Sequence, residues 1–343
     1  MRIPPELVCQ THSLPLAGAA GRAVEEAEAL ECPRGCRFPV VARVPRFTPS
    51  DEYATAFGRQ WKTFRQTQLD SHTGTTISRD RLARCLGGSL DVLRGRTVLE
   101  VGCGAGRFTE LMLGAGARVV ACDLSQAVEA NYENCRHHGD NYFVCQADVR
   151  RLPLLPASFD FVVCLGVIQH TPDPEETIAA LARHVRPGGT LVIDHYTRAT
   201  PKNRAQSLMR ELLIRLPPRL ATPLALAVSR ALLPLHRLSW SDKRGRWRLR
   251  GPLQRFSPLA DYSAAYPQLG EKLLGEWSVL DTHDMVTDYY KHLRDADEIR
   301  AILAACGLER LEVYYAGNGV EARARAPLAG AAAGAGGAAA RKG

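Results

Sequence analysis

The chain has 343 residues, of which 45% are hydrophobic and 23% charged, so it can bury a large core and is not an intrinsically disordered chain. Its formal net charge of +8 favours acidic partners such as RNA, anionic lipid or phosphorylated metabolites, although a solvated arginine-rich face explains it equally well. No apolar run reaches the roughly 18 residues of a membrane span, and the ten cysteines are not spaced as a secreted disulfide framework, so we expect a cytoplasmic protein.

The first 47 residues predict a small cysteine-rich hairpin module. Cys9-x2-His12 and Cys32-x3-Cys36 form two pairs, and two such knuckles can place a Cys3His ligand set tetrahedrally around a structural zinc ion. A metal-free hairpin is the alternative. Residues 48–93 follow as a helical linker or lid.

Residues 94–326 predict one α/β domain. Apolar runs that indicate buried strands alternate with helix-length segments such as 125–138 and 174–185, a pattern typical of a doubly wound, mostly parallel Rossmann-like sheet covered on both faces. The predicted strands are 97–101, 118–123, 142–146, 159–166 and 189–196.

The end of the chain predicts an edge to this sheet. A helical insertion over 197–288 precedes a helix over 295–306, and residues 308–316 and 319–326 alternate as an antiparallel pair of strands. The Ala/Gly-rich tail over 327–343 is predicted to be disordered.

A glycine loop after the first strand of this domain carries the strongest signal. Gly102, Gly104 and Gly106 allow a tight turn whose backbone lies close to a ligand, and the following helix offers unpaired N–H groups. The dinucleotide fingerprint requires glycine where Arg107 stands. Glu100 before the loop disfavours a pyrophosphate and favours a cofactor with a cationic group.

Two further carboxylates follow neighbouring strands. Asp123 ends the second strand, where a carboxylate can accept ribose hydroxyls. Asp148 follows the third strand and can accept from an adenine amino group. The sequence therefore predicts a nucleoside-bearing cofactor at this edge.

Together, VLEVGCGAG, VVACDLS, ADVRRLP, FDFVVCLGVIQHTPDP and RPGGTLVI resemble the class I S-adenosylmethionine-dependent methyltransferases, especially the ubiquinone and menaquinone type. The resemblance covers about a hundred residues, from Val98 to Tyr196. It implies that Glu100 and the loop hold the methionine moiety, Asp123 the ribose, and Asp148 with Val149 the adenine. The cofactor-binding residues that it implies are Glu100, Gly102, Gly104, Gly106, Asp123, Leu124, Asp148, Val149 and Leu165.

Two histidines are candidates for acid–base catalysis. His170 lies beyond the fourth strand and His195 near the end of the fifth, at the sheet edge where open α/β sheets bind ligands. For each, a structural role is the alternative, since His170 precedes Thr171-Pro172 and can cap a turn. The segment 277–290 gathers Asp281, His283, Asp284, Asp288 and two tyrosines over the expected acceptor pocket, or forms a plain polar loop.

We therefore predict methyl transfer to an oxygen or carbon of a small-molecule, glycan or lipid-linked acceptor, because LGVIQHTPDP differs from the Asn/Asp-Pro-Pro-aromatic signature of amino-group methyltransferases. The basic and apolar stretch 198–238 can serve as a lid or rest on a membrane surface. One alternative is an RNA methyltransferase whose amino-terminal ribbon and arginines bind phosphates, since a similar ribbon precedes certain ribosomal RNA methyltransferases. Another is a non-catalytic protein that keeps only the fold.

Overall fold

The computed structural model describes residues 1–49, 58, 64–199, 203–240, 251, 253, 255–317 and 319–329. The predicted tail therefore falls mostly outside the described residues. The strands are β1 (Ala17–Gly18), β2 (Ala29–Glu31), β3 (Arg37–Val41), β4 (Val44–Pro45), β5 (Thr97–Val101), β6 (Arg118–Asp123), β7 (Tyr142–Gln146), β8 (Phe159–Cys164), β9 (Val185–Tyr196), β10 (Glu309–Ala316) and β11 (Gly319–Arg325).

The helices lie between and after these strands. They are α1 (Asp70–Thr73), α2 (Ile77–Leu86), α3 (Thr109–Gly114), α4 (Val128–Cys135), α5 (Pro174–Ala182), α6 (Arg204–Leu213), α7 (Pro218–Trp240), α8 (Gly270–Thr287) and α9 (Ala296–Ala305). Short 3-10 turns include 136–141, 149–151 and 168–170. None of the described helices combines the length and apolarity that crossing a bilayer requires.

A seven-stranded sheet in the order β10-β11-β9-β8-β5-β6-β7 forms the centre of the molecule. The strands from β5 to β9 pair in parallel, and β11 runs antiparallel to both β9 and β10. The predicted fold class, including its antiparallel last strand, is confirmed. The central strands are almost wholly buried because both faces of a parallel sheet are covered, so their near-continuous apolar runs face helices on each side.

Helix α5 ends three residues before the predicted end, and β9 begins four residues before its predicted start. The chain turns at His184, whose N–H donates to the Leu181 carbonyl. Val185 can therefore already pair with Phe159 of β8. The added β-carbon of any other residue at Gly189 would lie 2.9 Å from the Phe159 carbonyl oxygen. Glycine thus permits close strand packing where the pairing register shifts.

The amino-terminal module is a four-stranded antiparallel sheet, β1-β2-β3-β4, that packs on the β7 edge of the large sheet. The N–H of Phe47 donates to the Gln146 carbonyl at 2.8 Å, and that of Val8 to Pro153 at 2.8 Å. Side chains of the module share one apolar core with the large sheet. The module is thus bound to the loop that follows β7.

The insertion is helical. Asn203 caps α6, its side chain accepting from the N–H of Gln206 at 3.1 Å. Helices α6, α7 and α8 pack together, with α8 against both of the others. They cover the end of the sheet at which β5, β6, β8 and β9 finish.

Candidate functional site

A cavity of about 680 Å³ opens at the carboxyl ends of the parallel strands. Its floor is the glycine loop and the ends of β6 and β8, and its roof is formed by α6 and α8. This volume lies in the range of ligand pockets that bury a drug-sized molecule. The crevice outside the carboxyl ends of open parallel sheets is also where such folds bind ligands.

The glycine loop requires its glycines for two reasons. All three have positive φ, +75° at Gly102, +49° at Gly104 and +101° at Gly106, a region that favours glycine. A β-carbon at Gly102 would also lie 2.1 Å from a methyl of Val167. Gly102 and Gly104 line the cavity, whereas Gly106 packs against Cys135 of α4 outside the lining.

Glu100 lies beneath the loop rather than in the cavity wall. It is buried, and the Thr109 hydroxyl donates to its carboxylate at 2.5 Å. Burial raises the pKa of Glu100 to about 8; Thr109 opposes the shift and the nearby Asp123 charge adds to it. A cation bound above the loop would favour the charged form of this carboxyl.

Asp123 lines the cavity and organises its floor. One carboxylate oxygen accepts from the N–H of Gly104 at 2.9 Å, and the other from the N–H and hydroxyl of Ser125 at 2.8 and 2.7 Å. Burial raises its pKa, opposed by these hydrogen bonds. Three of about four acceptor positions are thus filled from within the described chain, which leaves room for a ligand hydroxyl.

Of the residues near the predicted adenine site, some line the cavity and one does not. Leu124, Val149 and Leu165 line the cavity, while Asp148 does not. The carboxylate of Asp148 caps the turn at 149–151 and holds the Arg150 guanidinium at 3.0 Å. Burial opposes its ionisation, but these bonds outweigh burial and lower the pKa of Asp148. Its side chain is therefore already used by the chain.

An ion pair that the sequence did not reveal forms another wall. Arg81 of α2 is hydrogen-bonded to Asp194 of β9, and the other Asp194 oxygen accepts from the N–H of Gly166 at 2.5 Å. Arg81 also lies 5.5 Å from the centre of the Phe108 ring and lines the cavity. Burial opposes its charge, but Asp194 more than compensates and raises the pKa of Arg81. A ligand carboxylate in the cavity would meet a fixed cation here.

Of the two histidines predicted as acid–base catalysts, one lines the cavity and the other does not. His170 lines the cavity, its Nδ1 3.4 Å from Asp288 and its ring edge-on to Tyr196. Burial works against protonation, but the carboxylates of α8 outweigh it and raise the pKa of His170. His195 lies outside the lining, with Nδ1 2.8 Å from the Tyr196 carbonyl and its pKa lowered by burial.

Helix α8 brings carboxylates over His170. Asp281, Asp284 and Asp288 lie one turn apart; Asp281 accepts from Gln68 at 3.0 Å, and Asp288 from Arg210 at 2.6 Å. Asp284 lines the cavity, and among the described residues its buried Oδ1 accepts no hydrogen bond. Burial, moderated by His170 and reinforced by the two neighbouring aspartates, raises the pKa of Asp284 to about 7.

A carboxyl with that pKa can take a proton near neutral pH. The sequence indicates the acidic segment that contains Asp284 but not the role of that residue, because a helix and a loop place these side chains differently. The contribution of Arg81 had no signal in the sequence, since α2 lies far along the chain from β9.

A second candidate site lies in the amino-terminal module. Cys9, His12, Cys32 and Cys36 bring their ligand atoms within 4.8 Å of one another. The His12 Nδ1 lies 3.7, 3.4 and 3.5 Å from the sulfurs of Cys9, Cys32 and Cys36. Zinc–ligand bonds of the usual length in a tetrahedron would separate nitrogen and sulfur by about 3.6 Å. The ligand set therefore fits zinc.

Part of the chain is similar to a known family. Residues 99–193 match the family model described as a methyltransferase domain. The glycine loop, Asp123 and the end of β8 all fall within that match. This confirms the resemblance to class I S-adenosylmethionine-dependent methyltransferases of the ubiquinone type.

Ubiquinone biosynthesis O-methyltransferases are among the similar relatives. That of Methylococcus capsulatus is 34% identical over 129 residues, 37% of this chain and 54% of the relative. That of Alkalilimnicola ehrlichii is 33% identical over 155 residues, 43% of this chain and 59% of the relative. The chain thus spans little more than half the length of these relatives, and the family model ends at residue 193, before the insertion.

A solved structure of magnesium protoporphyrin IX methyltransferase from Synechocystis PCC 6803 with bound S-adenosylhomocysteine is also similar. The two share 17% identity over 80% of this chain and 96% of that one, with a TM-score of 0.40. A similarity this low gives no residue correspondence for the site.

Proposed function

We propose that this protein transfers a methyl group from S-adenosylmethionine to an oxygen of a small-molecule or lipid-linked acceptor. The single observation that carries the proposal is that the glycine loop, Asp123 and the Asp284 carboxyl all line one cavity. A cofactor site and a group able to take a proton therefore face the same space.

The residues of the cavity fit this cofactor. The backbone at Gly102 and Gly104 leaves room for a ligand close to the loop, Asp123 accepts from a ribose hydroxyl, and Leu124 with Val149 offers an apolar surface to the base. Arg81 binds the methionine carboxylate. When bound, the cofactor supplies a methyl group on a cationic sulfur.

The chain's own residues complete the acceptor side. Asp284 takes the proton of the acceptor hydroxyl on Oδ1, so that the oxygen becomes nucleophilic while its proton stays on the buried carboxyl. His170, whose charge lowers the pKa of Asp284, sets how much of that carboxyl is ionised. The roof helices α6 and α8 exclude water and align the acceptor.

Oxygen is the favoured acceptor atom because the curated relatives are named O-methyltransferases. A base is needed when a hydroxyl is methylated, and the cavity offers one. The wider alternative, a carbon acceptor, needs the same base.

The experiment is methyl transfer from labelled S-adenosylmethionine into total metabolite and lipid extracts, with S-adenosylhomocysteine measured in parallel. We expect label in an organic-extractable product, and transfer that survives ribonuclease and 200 mM salt. Label in RNA that is lost between about 50 and 200 mM salt would favour the nucleic-acid alternative. If the protein binds the cofactor but forms no S-adenosylhomocysteine with any extract, the catalytic proposal is wrong.

We also propose that Cys9, His12, Cys32 and Cys36 bind structural zinc. The N–H of Arg34 lies 3.4 Å from the Cys32 sulfur, a contact that stabilises a thiolate. Metal analysis of the purified protein should give one zinc per chain, reduced by Cys32→Ser but not by Cys306→Ser. Purified protein that contains no zinc, and whose melting temperature does not change when a chelator is added, would contradict this proposal.

A further inference from the structure

Helices α6 and α7 and the turn between them expose seven leucines, here called the leucine face. Their exposed fractions lie between 37% and 61%, although large apolar side chains are usually buried. The members are Leu208, Leu212, Leu216, Leu220, Leu224, Leu235 and Leu238.

Helix α7 is amphipathic in the inverse sense. On its exposed side Leu220, Leu224 and Leu238 recur at helical spacing, whereas its buried side carries the small Ala221 and Ala225 together with the polar Thr222, Ser229 and His236. Two of those polar side chains are hydrogen-bonded to other parts of the protein: Thr222 to His283 of α8 at 3.3 Å and His236 to Ser257 at 2.8 Å. The orientation of the helix is therefore fixed, with its apolar side outward.

Positive charge is concentrated in the same segment. Residues 203–240 contain six Arg and one Glu, a net charge of +5 out of the chain's total of +8. Arg219 and Arg230 are exposed along α7, Arg204 is exposed on α6, and Arg215 is exposed just after α6. Long arginine side chains beside an apolar strip suit the headgroup region of a bilayer.

The leucine face lies directly behind the candidate acceptor pocket. On α6, Gln206 and Arg210 line the cavity, while Leu208 and Leu212 point outward. Arg210 donates to Asp288, which directly follows α8, at 2.6 Å. Helix α6 thus separates its own exposed leucines from the cavity that Asp281 and Asp284 line.

We propose that the leucine face docks on the surface of an anionic phospholipid bilayer. Seven exposed leucines gain nothing from RNA phosphates, but they gain from insertion among acyl chains. A second copy of the chain would bring two helical segments of charge +5 together, which disfavours self-association. The proposal is independent of methyl transfer and holds or fails without it.

The test is co-sedimentation of the full chain with vesicles. Phosphatidylcholine vesicles containing phosphatidylglycerol should retain the protein, and pure phosphatidylcholine vesicles should retain roughly tenfold less, since each arginine near the surface adds attraction. Raising salt should weaken binding to the anionic vesicles in part, because the apolar contact persists.

Two variants separate the contributions. Leu220→Gln/Leu224→Gln/Leu238→Gln should reduce vesicle binding at least roughly tenfold at all salt concentrations, and Arg219→Glu/Arg230→Glu should do so only at low salt. The matched control is Val92→Gln/Arg94→Glu, two exposed residues far from this face, which should bind as the wild type does. Far-ultraviolet circular dichroism and an unchanged melting temperature verify that each variant is folded.

Equal retention on neutral and anionic vesicles, or no change in the leucine variant when it is folded, would overturn the proposal. So would a dimer at micromolar concentration that the leucine variant dissolves, which would assign the face to a second copy. Tight, salt-sensitive binding of total RNA with no vesicle binding would assign the charge to nucleic acid.

Discussion

The sheet half of the molecule and the helical insertion differ in what determines them. In the sheet half, buried strands and a glycine loop fix a cradle whose parts lie close in sequence, between Val98 and Leu165. In the insertion, the functional groups come from helices whose faces carry mixed polar and apolar residues. The first region contains the segment that is similar to known methyltransferases, and the second holds the proposed acceptor side.

The largest expected effect tests the insertion. Asp284→Asn removes the proposed base, and we expect label transfer to an extract acceptor to fall about 10²–10⁴-fold while cofactor affinity is kept. In the wild type, transfer should rise as the pH passes about 7, where the Asp284 carboxyl ionises, and the variant should lose that limb. The matched control is Glu271→Gln on the exposed side of α8. Unchanged turnover in Asp284→Asn would remove Asp284 from the reaction.

The next effect tests the sheet half. Asp123→Ala removes a ligand acceptor and frees the Gly104 N–H that shapes the loop, so cofactor affinity should fall about tenfold to hundredfold. Asp140→Ala, an exposed aspartate outside the site, should bind as the wild type does. Calorimetry measures both. Equal affinity in Asp123→Ala would contradict the cofactor assignment.

A smaller effect links the two regions. His170→Ala should lower turnover by about tenfold and leave cofactor affinity nearly intact. Because the His170 charge lowers the pKa of Asp284, its loss should also shift the rising limb of the pH profile to higher pH. A drop in turnover with no shift of the limb would assign His170 a structural role only.

The smallest effect concerns Glu100. Its folded pKa of about 8 lies above its unfolded value near 4.5, so the folded state binds more protons between these pH values. The protonated Glu100 carboxyl therefore contributes to the free energy of unfolding in full below about pH 4.5, and this contribution is lost as the pH rises toward 8. Glu100→Gln should remove that slope, and its melting temperature relative to the wild type should rise between pH 5 and 8. A parallel pair of curves would show that Glu100 is ionised in the folded protein.

Much of the sheet half was predictable because its signals are local. The strand runs, the loop and Asp123 each depend on neighbours in sequence, and the predicted Gly102, Gly104 and Leu165 line the cavity. Glu100 and Asp148 show the limit of that logic. Their carboxylates are used by Thr109 and Arg150, contacts that sequence spacing does not reveal.

The insertion was less predictable because its chemistry depends on packing. Whether Asp284 faces the cavity depends on how α8 lies across α6 and α7. The pairing of Arg81 with Asp194 joins residues 113 positions apart in the chain. The apolar side of α7 is turned outward, the reverse of what apolar periodicity alone predicts for a soluble helix.

The cofactor assignment can be tested by titrating the purified wild-type protein with S-adenosylmethionine in a calorimeter. We expect one site per chain with a dissociation constant between about 1 μM and 1 mM, the usual range for enzyme ligands. Folded protein that takes up no S-adenosylmethionine at millimolar concentration would contradict it.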